Sequence, residues 1–536
     1  MADDALTPSG DPAGEQLMLI PAISPPGAEP VDYPNKERIP AAIHGPESSL
    51  AGIVVCVTGL GVSGYPMAVH LAERGAEVIV VDADDQRDES EHETILRVFD
   101  VDIRRGPEHV EKLPRTSSGR LPDLVCTSPG WRPDQPLLVE AAEHDIPVIG
   151  EVELAWRVRG ANSAPWLVVT GTNGKTTTTS MLDSMLRAQG LQSRACGNIG
   201  APLLEAVLDP GAEVLAIELS SFQLHWQFSM AAHSAAVLNL ADDHLDWHGG
   251  WDGYVADKAK VYSNVQLACV YSCEDPATRE LVEEAEVIEG ARAVGFRLDT
   301  PRVGELGVVG EILADRAFAQ RRQTSAQELG SLDDVAQASG TPGAKPADHQ
   351  VLNALAAAAL ARSIGVEPAA VRDGLRNHQV GDHRSAIVAE ADGVTWVDDS
   401  KATNPHAAAA ALAAHESIVW IAGGLAKGAD FTDLVQTFAD RIRTAVVIGT
   451  DSSELISALE AADVDYTVVP PSGPDIMEDS RTRGADVMRR AVAAASQYAE
   501  DGDTVLLAPA SASMDQFLNY ATRGDLFADV VRGALS

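Results

Sequence analysis

At 536 residues, with 45% apolar side chains, the chain exceeds one hydrophobic core and suits about three domains. Its 40 Lys and Arg against 79 Asp and Glu leave a formal charge of −39, which repels nucleic acid and anionic membrane surfaces alike. No run reaches the ~18 apolar residues of a membrane span, and the acidic start MADDALTPSGDPAGEQ lacks the basic and apolar segments of a secretory signal, so a cytoplasmic protein is expected.

Residues 1–48 are rich in Pro, Ala, Gly and acid without sustained periodicity, and are expected as a disordered tail. Order begins with AGIVVCVTGLGVSGYPMAVHLAERGAEVIVVDADD: a buried strand, a glycine turn, a helix ended by Gly75 and a second strand closed by Asp82. Gly59-Leu60-Gly61-Val62-Ser63-Gly64 fits G-x-G-x-x-G between strand and helix, the setting in which that pattern marks a diphosphate site. It leaves the base open. The runs LPDLVCTSPG and DIPVIGE continue the alternation, giving an expected first domain over 49–160.

An expected second domain over 161–380 opens with LVVTGTNGKTTTTSMLDSMLRAQG. Gly171, Thr172, Asn173, Gly174, Lys175, Thr176 and Thr177 match the end of G-x-x-x-x-G-K-[ST], with Val169 in place of the first glycine. Glycines let backbone N–H groups face a phosphate, and the following helix adds its positive end, a term of roughly 0.3–1 kcal/mol. Lys175 suits the β/γ-phosphates of ATP and Thr176 its Mg2+. Glu218 ends the strand VLAIE, where an acidic Mg2+ ligand belongs, and His244 after AAVLNL is a second candidate. Residues 320–347 are expected as a polar excursion or mobile loop, followed by the helix HQVLNALAAAALARSIG.

The third expected domain, 381–536, places DDSKATN, GGLAKGADF and PASASMDQF after apolar strands. Lys401, Thr403, Lys427, Ser511 and Ser513 there form a cationic, hydroxyl-rich pocket, in which each charge-assisted bond to a carboxylate contributes about 1.5–3 kcal/mol. The fold class expected is α/β: a Rossmann-like N-terminal domain, a P-loop-type central ATPase and a Rossmann-like C-terminal domain, with ligands outside the carboxyl ends of the strands. Two nucleotide-type turns in one chain suggest one nucleotide for energy and one as a handle on the substrate. The five cysteines, an odd number on apolar segments, do not read as a disulfide framework. The C-x3-C pair Cys269 and Cys273 lacks companion zinc ligands.

Taken together, VTGTNGKTTTT, GNIGAP, ELSSFQL, LNLADDHLDWH, YVADKAKVY, HQVLNALAA, DHR, DDSKATNP and APASASMDQF resemble the Mur ligases, in the expected order over about residues 50–536. ELSSFQL, DSKATN and SMDQF favour the member that adds D-glutamate. The resemblance implies an ATP-dependent carbon–nitrogen ligase acting in the cytoplasm in peptidoglycan precursor synthesis, as a monomer. It would join D-glutamate to UDP-N-acetylmuramoyl-L-alanine through an acyl phosphate and a tetrahedral intermediate.

The resemblance further implies catalytic roles for Lys175, Lys258, His244 and Lys401. ATP would be held by residues 171–177 with Asn353, Arg384 and Asp399. The substrates would be held by Gly61, Ser63, Asp82, Asn198, Ser220, Thr403, Lys427, Ser513 and Tyr520, and Mg2+ by Thr176, Glu218, His244 and Lys258. Lys258 aligns with a lysine carbamylated in this family; to capture CO2 it must be neutral, so its surroundings must lower a pKa of about 10.4. From its own sequence it reads as a helix-surface lysine. Three departures stand out: Ala83-Asp84-Asp85 where relatives offer threonine and arginine to the uridine side, Gln350 in place of asparagine, and Ser511-Ala512 in place of Ala-Cys. The alternatives are another Mur ligase or a folylpolyglutamate synthase, which would lack the turn at 59–64. An NAD-dependent oxidoreductase and a nucleotide-binding protein without catalysis are the readings from other classes.

Overall fold

Runs of β-branched residues bounded by glycine turns build the first sheet, because such side chains pack well on a pleated surface covered on both faces. Its strands are β1 (Val54–Thr58), β2 (Glu77–Asp82), β3 (Asp102–Arg105), β4 (Leu124–Thr127) and β5 (Val148–Gly150), all parallel in the order β3-β2-β1-β4-β5. The order reverses at β1, which opens a crevice beyond the ends of β1 and β4. A Cβ on Gly64 would lie 1.9 Å from the Gly59 carbonyl oxygen, so glycine there lets the turn after β1 close into the helix Gly64–Glu73. The computed structural model describes residues 38–84, 91–426, 429–472 and 480–535. Contacts divide the chain into two compact units, 1–379 and 380–536.

The second sheet has β6 (Trp166–Thr170), β7 (Ser193–Gly197), β8 (Val214–Glu218), β9 (Ser234–Val237), β10 (Ala268–Ser272), β11 (Arg292–Phe296), β12 (Glu305–Val309), β13 (Ile312–Asp315) and β14 (Gln327–Ser331). They run β14-β13-β12-β11-β10-β9-β6-β8-β7, parallel from β7 to β12 and antiparallel beyond. The expected loop over 320–347 is corrected here: β14 and the helix Leu332–Ala338 lie within it, the helix capped by Ser331 and Asp334. Its polar sequence is that of a sheet edge, where only one side of the strand is paired. The expected tail to residue 48 is also too long. Residues 1–37 lie outside the described residues, but Ile39 and Ile43 are buried, and Gly45 N–H donates to the Arg157 carbonyl (2.8 Å).

Two buried carboxylates in the helix Glu151–Val158 hold the first sheet to the second. Glu151 accepts from Ser63 Oγ (2.5 Å) and Leu204 N–H (3.1 Å). Glu153 accepts from Phe228 N–H and Ser229 N–H, both at 2.8 Å, and pairs with Arg157. The alanine-rich helix Asp348–Ser363 is buried on nearly every face, as an all-round apolar helix must be.

Residues 380–536 form the third sheet: β15 (Ala386–Ala391), β16 (Val394–Asp398), β17 (Ile418–Gly423), β18 (Ile442–Ile448), β19 (Tyr466–Val468) and β20 (Thr504–Leu507), in the order β15-β16-β20-β17-β18-β19. Only β15 runs antiparallel to its neighbour. Alternate residues of β17 feed opposite faces: Trp420 enters one core, Val419 and Ile421 the other. The fold is thus α/β with three sheets. Among the described residues no helix is long and apolar enough to cross a membrane. The five cysteines are free, and neither Cys269 nor Cys273 belongs to a candidate metal cluster among the described residues.

Candidate active site

The loop 171–174 lies between β6 and the helix Lys175–Ala188, with Gly171 at φ +149° and Gly174 at φ +81°. A Cβ on Gly174 would fall 2.3 Å from Asn353 Oδ1, so the loop and the buried Asn353 are in close approach. Lys175 Nζ turns back onto the loop, donating to the carbonyls of Gly171 and Thr172, both at 2.8 Å. Lys258, on the helix Trp251–Ala259, donates to the same Gly171 carbonyl at 2.9 Å. Two amino groups therefore share one oxygen.

Lys258 is 1% exposed, and its Nζ stands 4.9 Å from the centre of the Tyr254 ring. Burial, then the charge of Lys175, hold its ammonium well below the usual lysine range, against the opposing pull of Asp243, Glu218 and Asp257. Tyr254, one turn earlier, bonds Thr172 Oγ1 through its hydroxyl (2.7 Å), which keys this helix to the loop. At the end of β8, Glu218 is 1% exposed; Asn198 Nδ2 donates to its Oε1 (2.7 Å), while its Oε2 is buried without a hydrogen-bond partner among the described residues. His244, in the left-handed region at φ +54°, packs on Phe222 with its Nε2 3.4 Å from Asp243 Oδ1.

Sequence reasoning missed a cluster built on the same helix, around its own Asp257. Asp257 Oδ2 bonds His225 Nδ1 (2.8 Å) and His248 Nδ1 (2.7 Å), and its Oδ1 takes Lys260 Nζ (2.9 Å). Burial alone would raise its pKa, but the bonds from His225 and His248 and the charge of Lys260 hold its carboxyl well below the usual range.

At the first sheet, Gly59, Asp82, Ala83, Val110, Gly130, Trp131 and Gln135 line a cleft of about 270 Å3. Both Asp82 oxygens are engaged by backbone, Oδ2 by Leu60 N–H (2.7 Å) and Oδ1 by Asp84 N–H (2.9 Å), so Asp82 holds the glycine turn in shape.

In 380–536 the loops after β16 and β20 are linked by Ala510 N–H to the Ala402 carbonyl (2.9 Å), and Lys401 Nζ lies 3.8 Å over the Tyr520 ring. Beneath them Arg523 is fully buried, donating to Ser400 Oγ (3.0 Å), the Ser400 carbonyl (2.8 Å) and the Ser511 carbonyl (3.2 Å). Burial pushes its pKa down to about 9, which leaves it charged at neutral pH. Asp399 takes the Ser385 N–H (3.1 Å), and burial raises its carboxyl to about 6. His383 Nδ1 pairs with Asp398 at 2.6 Å.

Three family models match the chain in order: "Mur ligase MurD-like, N-terminal domain" over 53–150, "Mur ligase middle domain" over 169–361 and "Mur ligase, glutamate ligase domain" over 383–511. The UDP-N-acetylmuramoylalanine–D-glutamate ligase of Streptomyces avermitilis is 53% identical over 481 residues, 89% of this chain and 98% of the relative. That of Streptomyces coelicolor is 52% identical over 490 residues, 90% and 99% of the two chains. The chain belongs to the Mur ligase family. Among solved structures, the UDP-N-acetylmuramate–alanine ligase MurC of Thermotoga maritima shares the fold, with a TM-score of 0.51 and 18% identity over 90% of this chain and 99% of that one.

In this Mur ligase the structure brings Gly171, Thr172, Asn173, Gly174, Lys175, Lys258 and Asn353 together around one loop, and pairs Asn198 with Glu218. Thr176 and Thr177 follow in the first turn of the loop's helix, and Ser220 caps the next helix after Glu218. Gly61 and Ser63 sit at the first glycine turn, with the Ser63 hydroxyl directed at Glu151. Lys401 and Tyr520 meet, and Thr403 and Ser513 occupy the two linked loops. Arg384 precedes the Ser385–Asp399 bond. Lys427 and Asp85 lie outside the described residues. Gln350 caps its own helix by accepting from Ala347 N–H (2.9 Å).

Proposed function

We propose that this Mur ligase joins the amino group of D-glutamate to the lactoyl-alanine carboxyl of UDP-N-acetylmuramoyl-L-alanine at the expense of ATP, in the cytoplasm and as a monomer. The two Streptomyces relatives, matched over nearly their whole length, are named as UDP-N-acetylmuramoylalanine–D-glutamate ligases. The observation that carries the chemistry is the convergence of Lys175 and Lys258 on the Gly171 carbonyl, at the positive end of the helix Lys175–Ala188.

On this reading the N–H groups of 171–176 and Lys175 hold the ATP phosphates, with Asn353, Arg384 and Asp399 flanking the nucleotide. The substrate carboxylate takes the γ-phosphoryl group, leaving ADP and an acyl phosphate. The amine of glutamate then adds to the acyl carbon, and the tetrahedral intermediate expels phosphate to form the amide. Thr403, Lys427, Ser513 and Tyr520 receive the glutamate, with Lys401 as the catalytic lysine of that side. Gly61, Ser63, Asp82, Asn198 and Ser220 serve the UDP-substrate side. The buried, unpartnered Glu218 Oε2 fits a hard divalent cation such as Mg2+, with Thr176 and His244 as further ligands. When bound, that ion supplies charge neutralisation at the phosphate oxygens.

Lys258 we assign as the carbamylated residue. Its neutral amine, favoured by burial, bonds through the nitrogen lone pair to CO2, and one N–H proton leaves to solvent. The product is an anion beside the Lys175 cation, with one N–H left to donate. It serves as the fourth metal-side group of the set.

Phosphate release from ATP, Mg2+ and UDP-N-acetylmuramoyl-L-alanine is the test, with D-glutamate, L-glutamate, glycine and meso-diaminopimelate compared as acceptors. Release with D-glutamate alone is expected, and Glu218→Gln should slow it by about 100-fold, the usual scale for losing one preorganised charge contact. Release with another amino acid moves the chain to a different branch, and release with none overturns the ligase reading.

A further inference from the structure

One polar constellation has no part in the chemistry above. The Asp257 carboxylate is tied by His225, His248 and Lys260, and His248 Nε2 continues to Ser221 Oγ at 2.9 Å. Ser221 opens the helix Ser221–His225, three residues after Glu218, so a chain of hydrogen bonds runs from that helix to the one that carries Lys258.

That helix needs holding. It has nine residues, including Gly253, and a helix so short has little stability of its own. Gly253 is required for its seat: a Cβ there would lie 2.1 Å from the His248 carbonyl oxygen. Tyr254 and Lys258 tie one face to the phosphate loop, and Asp257 ties the adjacent face to the elements that follow β8. The group is not arranged as a metal site. Its N···O separations of 2.7 and 2.8 Å are hydrogen-bond lengths, whereas two ligands about 2.0 Å from a tetrahedral zinc stand about 3.3 Å apart. The Lys260 ammonium also occupies the carboxylate's other oxygen.

We propose that Asp257 is a positioning residue: clamped by His225, His248 and Lys260, it fixes Lys258 Nζ against the Gly171 carbonyl and sets where the carbamate stands relative to Glu218. The inference rests on the carbamate reading. Its distinguishing feature is a sign. Charge alone predicts that removing the anion next to Lys258 makes a second anion easier to form there. Positioning predicts the opposite.

The experiment is 13C NMR of the full-length protein equilibrated with 13C-bicarbonate, following a carbamate resonance that Lys258→Ala abolishes, with steady-state kinetics on the same samples. Asp257→Ala should reduce the resonance several-fold and kcat by about 10- to 100-fold, the range for lost support behind a ligand, with KM for the UDP substrate within about twofold. His225→Ala removes one donor from a partly exposed ring; it should give a smaller loss of both, and keeps the test open if Asp257→Ala does not fold. A wild-type resonance that Asp257→Ala leaves equal or stronger overturns the positioning role alone. A wild type with no resonance overturns the carbamate reading and this one with it. Stoichiometric zinc in the wild type, lost in Asp257→Ala, would make the cluster a metal site instead.

Discussion

Burial at Asp399 carries a stability cost that depends on pH. Its carboxyl is raised from 3.8 to about 6 by burial, against the pull of the Ser385 N–H and the Arg384 charge. Between those two values the folded chain binds more protons than the unfolded one, so stability falls as pH rises through the window and the full cost is present above about pH 6. Asp399→Asn removes the charge and should stabilise the protein at pH 7–8 by up to about 3 kcal/mol, taking 1.36 kcal/mol per unit over about two units. The gain should fade as pH falls toward about 4. Urea unfolding at both ends of that range checks it, and a gain independent of pH would show that titration is not its source. Ligase activity should fall in the same variant, because Asp399 is assigned to the nucleotide side.

Among elements, the helix Lys175–Ala188 depends on its neighbour Pro368–Asn377 at one point. A Cβ on Gly374 would lie 2.4 Å from Met185 Cα and 2.7 Å from its N, and Ser184 Oγ donates to the Gly374 carbonyl at 2.7 Å. Backbone cannot yield as a side chain does. Gly374→Ala should cost about 1–3 kcal/mol by overpacking, despite the better helix propensity of alanine, and should weaken ATP binding by shifting the helix that starts at Lys175. Thermal unfolding and nucleotide titration read the two effects separately. The phosphate loop and the turn at 59–64 were legible because their glycines, lysine and hydroxyls are contiguous and bounded by apolar strands. The cluster at Asp257 was not: His225 and His248 stand 32 and 9 residues from it and meet it only through the packing of three short helices. Arg523 gave no signal either, because a buried arginine served by carbonyls and a hydroxyl reads in sequence like a surface one. β14 was hidden by the polar composition that a sheet edge tolerates. Lys258 needed the family resemblance; nothing in YVADKAKVY separates it from Lys260, which caps a different network.

For the whole molecule, the division at 379/380 makes a prediction about folding. Residues 380–536 own two apolar cores, one around Val397, Trp420 and Leu506, the other around Trp396, Ile421 and Phe527. A unit whose sheet is covered on both faces by its own side chains has what independent folding requires. Expressed alone, 380–536 should unfold cooperatively, with blue-shifted emission from Trp396 and Trp420, which are 4% and 0% exposed. The complementary fragment 1–379 contains Gly171–Thr177, Glu218, Lys258 and Asn353, so it should retain both nucleotide binding and the Lys258 carbamate while losing ligation, because the residues assigned to glutamate lie in the other fragment. Loss of cooperative unfolding in 380–536 would mean that its cores depend on the rest of the chain. Loss of nucleotide binding in a folded 1–379 would overturn the assignment of ATP chiefly to residues 171–177.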